Sequence, residues 1–284
     1  MKNENFCVFI LTHGRPENVI TYKELKKCNY TGKIFIVIDN EDKKKNEYIE
    51  KYGDEVLVFD KLEVSKTFDE ADNFEDRRAI VYARNVCFKL AKENGYKYFI
   101  QFDDDYSSFH YRVYKNDCSV PKRIKNIDKP LKLLLDFYKS ISADTIAIAQ
   151  GGDFIGGSAN QNAVNPKLRR KAMNSFICST ERPFKFQGRI NEDVNTYTNG
   201  ASKGLLMFTI PFLSLEQKTT QSNSGGMTDI YLDNGTYVKS FYSVIFQPSS
   251  VTIKLMGSSH KRLHHSVKWE NTTPMIISED IKKR

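Results

Sequence analysis

Gly95-Tyr-Lys-Tyr-Phe-Ile-Gln-Phe-Asp-Asp-Asp105 is the stretch that decides the fold. Tyr96 to Phe102 is a mostly apolar and aromatic run of strand length, and a strand buried on both faces of a parallel sheet reads this way. The run passes directly into three carboxylates. In an open α/β sheet, ligands gather at the carboxyl ends of the strands, so Asp103, Asp104 and Asp105 stand where a site belongs. Just upstream, Ala79, Ala83, Val86 and Leu90 recur at three- and four-residue spacing and Gly95 stops the pattern. That spacing predicts a helix over Glu75 to Asn94 with its apolar stripe on the sheet.

The alternation continues toward the N-terminus. Phe6 to Leu11 and Lys33 to Ile38 predict buried strands, Glu17 to Lys27 a helix between them, Lys44 to Tyr52 a short helix and Glu55 to Phe59 a third strand. Repeated β-α-β units of this kind predict an open sheet with right-handed crossovers. Toward the C-terminus the pattern changes. Pro130 to Ser142 predicts a helix and Thr145 to Gln150 a strand, followed by the glycine-rich Gly151 to Gly157. Leu205 to Ile210 and the alternating runs around Tyr237 to Phe246 and Val251 to Leu255 read as further strands. No repeat or linker divides residues 1–284, so an α/β fold in one domain is expected.

Composition agrees with that expectation. A chain of 284 residues suits one large core, and 40% hydrophobic with 27% charged residues excludes collagen-like and disordered classes. The N-terminal apolar run is shorter than the roughly 7–15 residues of a signal-peptide core, and nothing approaches the roughly 18 of a membrane span, so a cytoplasmic protein without membrane contact is expected. Cys7, Cys28, Cys87, Cys118 and Cys178 are odd in number and widely spaced, which favours reduced core thiols over disulfides or a zinc site. The net charge of +8 makes a polyanionic partner plausible. Lys167, Arg169, Arg170, Lys171, Arg182, Lys185 and Arg189 face the single acid Glu181 between Asn160 and Ile190; a solvated basic face is the alternative.

The chemistry starts from the acidic triplet. Adjacent carboxylates repel, and unless positive charge sits among them at least one pKa must rise. A hard divalent cation relieves this, taking one or two carboxylates plus phosphate oxygens. Taken alone, three aspartates read as an acidic surface turn; the preceding strand is what favours a metal site. Asp39 ends the second strand on the same edge and could accept from ribose hydroxyls or a base, or could cap a turn beside Asn40. Thr12, His13 and Arg15 follow the first strand, with Gly14 permitting close backbone approach. Arg77, Arg78, Arg84 and Asn85 fall on the polar side of the long helix, where they either meet solvent or steer a diphosphate.

In order, Thr12-His-Gly-Arg15, Val37-Ile-Asp-Asn40, Ala83-Arg-Asn85 and Phe102-Asp-Asp-Asp105 resemble the nucleotide-binding half of GT-A glycosyltransferases. The resemblance implies a GT-A-like open mixed sheet flanked by helices. Residues 1–110 would hold the donor and residues 111–284 the acceptor. It implies a D-x-D pair, Asp103 and Asp105, chelating Mn²⁺ or Mg²⁺ on the diphosphate of a nucleotide-sugar, with a UDP-sugar expected. Thr12, Arg15, Asp39, Arg78, Arg84, Asp103 and Asp104 would then belong to the nucleotide pocket. Gly188 to Val194 resembles the later acidic pair of these enzymes, which makes Asp193 the expected base toward the acceptor hydroxyl and Glu192 the reserve. A late histidine often completes the metal site, and His260 is the expected one, with His264 and His265 as alternatives.

The whole-chain pattern, T-H-G-R-P-x-N-V near the start and H-K-R-L-H-H…W…P-M-I-I near the end, resembles phage-type glycosyltransferases of hypermodified DNA bases. That implies the hydroxyl of a 5-hydroxymethylpyrimidine in DNA as nucleophile. Lys167, Arg169, Arg170 and Lys171 would contact phosphates, Phe176, Phe184 and Phe186 would stack on bases, and the target base would be flipped. The rivals are a glycosyltransferase acting on protein or glycan, a catalytically silent nucleic-acid-binding module on the same scaffold, and a nucleotidyltransferase.

Overall fold

A computed structural model describes residues 1–2, 4–72, 75–115, 118–154, 171–217, 238–257 and 261–272. The parallel half forms as the alternation predicts. Strands β1 (Phe6–Leu11), β2 (Lys33–Asp39), β3 (Val56–Phe59) and β4 (Tyr98–Asp103) run parallel, with β1 between β2 and β4. Helices α1 (Ile20–Lys27) and α2 (Lys45–Tyr52), the short α3 (Lys61–Ser65) and the long α4 (Val81–Glu93) connect them. The carboxyl ends of all four strands therefore lie along one edge.

The second half extends the same sheet. Its strands are β5 (Tyr106–Lys115), β6 (Cys118–Arg123), β7 (Thr145–Gln150), β8 (Ser175–Ser179) and β9 (Met207–Gln217). Among the described residues the order is β3-β2-β1-β4-β8-β7-β9-β5-β6. β8 pairs antiparallel with both β4 and β7, β7 runs parallel to β9, and β5 lies antiparallel between β9 and β6. The chain thus leaves β4 at the acidic triplet, crosses to the far side of the sheet as β5 and β6, and returns. The result is an open mixed sheet flanked by helices, an α/β fold as expected. A small antiparallel pair, β10 (Val251–Met256) and β11 (Arg262–Val267), packs against α7 (Val238–Phe246).

The two-residue period of β1 divides the core. Phe6, Val8 and Ile10 face a layer built from α1, α2 and α5 (Asp128–Ser140), whereas Cys7, Phe9 and Leu11 face α4 and α6 (Glu192–Ser202). Cys7, Cys28, Cys87 and Cys178 are buried free thiols, as expected. No helix among the described residues is long and apolar enough to cross a membrane.

Two elements differ from expectation. The long helix starts at Val81 rather than Glu75 because the Asp76 carboxylate captures the Arg78 N–H at 3.1 Å, a local bond that competes with helix initiation. The run ending at Phe246 alternates in sequence but folds as helix α7, burying Ser240, Tyr242 and Ser243 and exposing Phe241 and Ile245. A short apolar run fits either period, and here packing against β10 and β11 selects the helix.

Candidate active site

The three aspartates leave β4 in one turn, yet each carboxylate has a different environment. Asp104 is buried, and its Oδ2 accepts from Thr12 Oγ1 at 2.5 Å and Arg15 Nε at 2.7 Å. Tyr48 Oη completes this knot, 2.9 Å from Thr12 Oγ1 and accepting the Arg15 N–H at 2.9 Å. Burial raises the Asp104 pKa, and the Arg15 charge and the Thr12 bond oppose it. Asp104 therefore anchors the loop after β1. Only Nε of the Arg15 guanidinium is engaged among the described residues, which leaves its two terminal amino groups for a ligand.

Asp103 Oδ1 accepts from Arg84 Nη2 at 2.9 Å, and Arg84 Nε donates to Glu192 Oε1 at 2.9 Å. Burial pushes Asp103 up to about 7, against the pull of Arg84, with the charges of Asp105 and Glu192 adding to the rise. Asp105 stands apart. Its Oδ1 is buried and has no hydrogen-bond partner among the described residues, and its Oδ2 lies 3.4 Å from Gln217 Nε2. Burial and then the neighbouring Asp104 raise its pKa. Arg15 pairs with Asp104, and Arg84 is shared between Asp103 and Glu192, so these two cations meet only part of the negative charge, and no ion pair to a described residue reaches Asp105.

Whether these residues fit a divalent ion turns on that orphaned oxygen. Among the described residues no group of three or more His, Cys, Asp or Glu side chains converges as a metal cage. Mg²⁺-type sites need only one or two carboxylates, with phosphate oxygens and waters supplying the rest, so Asp105 with Asp103 fits that kind of site. His260 lies outside the described residues. His264 and His265 are on β11, where His265 Nδ1 is 3.4 Å from Asn191 Nδ2 and His264 Nδ1 is 2.7 Å from the His265 carbonyl. Burial pushes His265 down to about 4, so it is a neutral imidazole beside the turn that opens α6.

Asp39 ends β2 as predicted, but both its oxygens have protein partners. Oδ2 meets His13 Nδ1 at 2.8 Å, and Oδ1 accepts from Lys61 Nζ at 3.0 Å and the Glu41 N–H at 3.1 Å. Burial alone would raise its pKa, but the His13 bond and the Lys61 charge hold it below the ordinary value. His13 is raised in turn, mainly by that bond. The Gly14 N–H donates to Asp42 Oδ2 at 2.7 Å, with Gly14 at φ +74°, so the loops after β1 and β2 are laced together. Lys61, Asp42 and Tyr48 were not singled out from sequence. Lys61 follows β3 on the same carboxyl edge, and that position could have revealed it.

The acceptor-side acids sit at the start of α6. Gly188, at φ +80°, passes so close to Asn195 and Phe246 that a side chain would collide, and Asn191 is left-handed at φ 57°. This tight turn places Glu192 and Asp193 side by side. Glu192 is held by Arg84. Asp193 is buried, takes the Val194 N–H on Oδ1 at 2.7 Å, and leaves Oδ2 without a bond to a described residue. Burial and then Glu192 push it up to about 6, opposed by the Val194 N–H, Arg84 and Lys171.

Other expected residues lie elsewhere. Arg78 is exposed and paired with Asp76 through Nε at 2.9 Å and Nη2 at 2.8 Å. Arg84 and Asn85, expected on a polar helix face, are buried: the rings of Phe176 and Phe186 lie over Arg84, and the Asn85 amide is bonded to the Phe186 backbone. Phe176, Phe184 and Phe186 pack on one another and on α4 in the core, which corrects the expectation that they stack on nucleic-acid bases. Lys171 reaches Asp153 at 3.7 Å. Lys167, Arg169 and Arg170 lie outside the described residues.

The sequence profile that matches residues 6–226 describes glycosyltransferases, and that is the class of this chain. The family is that of the TET-associated glycosyltransferases, and the chain belongs to it. No curated protein matches the chain in sequence. Similar solved structures include S. aureus TarS 1–349 in complex with UDP-GlcNAc (14% identity, 84% of this chain and 66% of that one, TM-score 0.46). A further structure of S. aureus TarS shows 14% identity over 83% of this chain and 39% of its own, TM-score 0.45. GalNAc-T7 with UDP, GalNAc and Mn²⁺ shows 13% identity over 84% and 48%, TM-score 0.40. The chain thus spans 39 to 66% of the length of these structures.

Proposed function

We propose that the chain transfers a sugar from a nucleotide-sugar, a UDP-sugar by preference, to the hydroxyl of a 5-hydroxymethylpyrimidine in DNA. The observation that carries the donor half of this reading is the buried Oδ1 of Asp105, which has no partner among the described residues, just after the carboxyl end of β4 and near Arg15, whose terminal amino groups bond no described residue. A buried carboxylate oxygen in that position calls for a cation, a proton or an ordered water, and the diphosphate-bound cation is the partner proposed here. Asp105 and Asp103 would hold Mn²⁺ or Mg²⁺, which when bound supplies positive charge to the departing diphosphate; His260 is the proposed additional ligand. Arg15 offers its terminal amino groups to the same phosphates, positioned by Asp104 and Tyr48. Thr12, Asp39 and His13 shape the nucleoside side of the loop pair, and Arg78 would reach the diphosphate only by leaving Asp76.

Asp193 accepts the proton of the attacking hydroxyl, the new O–C bond forms at the anomeric carbon, and the bond to the diphosphate oxygen breaks. A carboxyl raised to about 6 is mostly ionised at neutral pH and is a stronger base than an ordinary one. Lys167, Arg169, Arg170 and Lys171 are the proposed phosphate contacts to DNA, in keeping with the net charge of +8.

The test is direct. The protein is incubated with UDP-sugars, Mn²⁺ and duplex DNA with or without 5-hydroxymethylcytosine, and the DNA is digested to nucleosides and weighed. A hexose- or pentose-sized mass gain on the hydroxymethylated nucleoside alone is expected. UDP release with no gain on any nucleoside moves the acceptor to protein or glycan. DNA binding with no metal-dependent UDP release from any donor contradicts the transferase reading.

A further inference from the structure

Arg84 connects two places that the reaction needs at a fixed separation. It is 1% exposed, 19 residues before Asp103 and 108 before Glu192, and bonds both carboxylates at 2.9 Å. The rings of Phe176 and Phe186 lie 5.0 and 5.9 Å from its guanidinium carbon. Its carbonyl accepts from Gln101 Nε2 on β4 at 2.9 Å. The next residue, Asn85, exchanges two bonds with the Phe186 backbone, both at 2.9 Å, and so pins the segment leading to Glu192 onto α4. Helix, strand and turn thus meet at one arginine–asparagine pair.

We infer that Arg84 is a positioning residue that fixes the donor-side carboxylates of β4 against the Asp193 turn, acting through Asp103 and Glu192 rather than by touching the nucleotide. The inference rests on the transfer reading above. Arg supplies a planar fork whose separate N–H groups reach two carboxylates at once and whose charge survives burial; a lysine is a point charge that satisfies one. Without a cation here, Asp103 and Glu192 become two part-buried like charges left beside the fully buried position of Arg84, and removing one partner of a largely buried pair is unfavourable. The repulsion would move β4's acidic end and the start of α6 apart, and Asp193 sits next to Glu192.

The experiment is a mutant cycle on the full chain: Arg84→Met, Arg84→Lys, Glu192→Gln and the double variant Arg84→Met with Glu192→Gln. Thermal unfolding, UDP binding in Mn²⁺ by calorimetry, and kcat and KM are measured for each. Arg84→Met should lower the melting temperature, weaken UDP–Mn²⁺ binding about tenfold and lower kcat more than 100-fold. Adding Glu192→Gln should recover most of the melting temperature and UDP affinity, because Asp103 then faces no second charge, while kcat stays low. Arg84→Lys should fold and bind UDP within about threefold of the original yet lose at least tenfold in kcat.

Two results overturn the inference: losses in the double variant that equal the sum of the single ones, or an Arg84→Met protein impaired in UDP affinity but normal in kcat at saturating donor, which marks a nucleotide ligand. Unfolding and UDP binding need no acceptor, so a wrong acceptor leaves this test intact. If the unaltered protein binds neither UDP nor Mn²⁺, the transfer reading fails while the unfolding cycle still reports on the bridge.

Discussion

Replacing Asp105 by Asn should make the unliganded protein more stable and the enzyme inactive. The carboxylate has one buried oxygen without a described partner and one weak contact, at 3.4 Å, to Gln217. An unsatisfied buried polar group costs about 1–3 kcal/mol, and an amide retains part of that cost while removing the charge, so the gain should be about 1 kcal/mol. For a chain of this size that corresponds to a rise of about 2–4 °C in melting temperature. The sign follows from the raised pKa of Asp105. A carboxyl whose pKa is higher in the folded state adds stability below its unfolded pKa and loses it as pH rises through the folded value. The gap between variant and original should therefore widen at neutral pH and close in acid. Mn²⁺ and UDP at about 100 times their dissociation constants should stabilise the original by about 2.7 kcal/mol, and the variant should lose that increment. Turnover should fall by about 100- to 1,000-fold or more, as when one electrostatic contact to developing charge is removed. Scanning fluorimetry with and without Mn²⁺ and UDP reads all but the last. A variant that melts lower than the original and keeps the same metal-dependent shift refutes the reasoning.

Three further outcomes are expected. With Asp193 at about 6, kcat/KM should rise with pH through an inflection near that value, because a base works deprotonated; Asp193→Asn should abolish transfer and keep UDP affinity within about threefold by calorimetry. His13 is raised above 6.5 by Asp39, so its contribution is present below pH 6.5 and lost as pH rises through the folded value, and the melting-temperature difference between the original and His13→Ala should be larger at pH 6 than at pH 9. Phe186→Ala should destabilise the protein by about 3–5 kcal/mol in denaturant titrations, because the ring is wholly buried; a selective loss of DNA affinity at unchanged stability would restore it to a binding surface.

What could be read in the sequence follows from how each element is stabilised. β1, β2 and β4 are buried on both faces and therefore continuous apolar runs, and the acidic triplet at the end of β4 located the site. β5 could not be read this way. It alternates, its last three residues are exposed, and its place between β9 and β6 depends on pairings far along the chain. β8 is only five residues long and is buried because β4 and β7 flank it, a fact of topology rather than of its own pattern. In the site, the acids were legible and their partners were not. Arg84 looks like a surface helical arginine until Phe176 and Phe186, about 100 residues away, close over it. Asp39 was legible as a strand-end carboxylate, but the buried Lys61 that neutralises it has no local signature beyond its place after β3.

The most direct test is a crystal of the protein soaked with Mn²⁺ and UDP, with the anomalous signal of manganese located. The account predicts one peak about 2.0–2.6 Å from Asp105 Oδ1, shared with oxygens of the diphosphate. UDP bound at this edge with no ion against Asp105, or an ion and diphosphate bound away from β4, would contradict it.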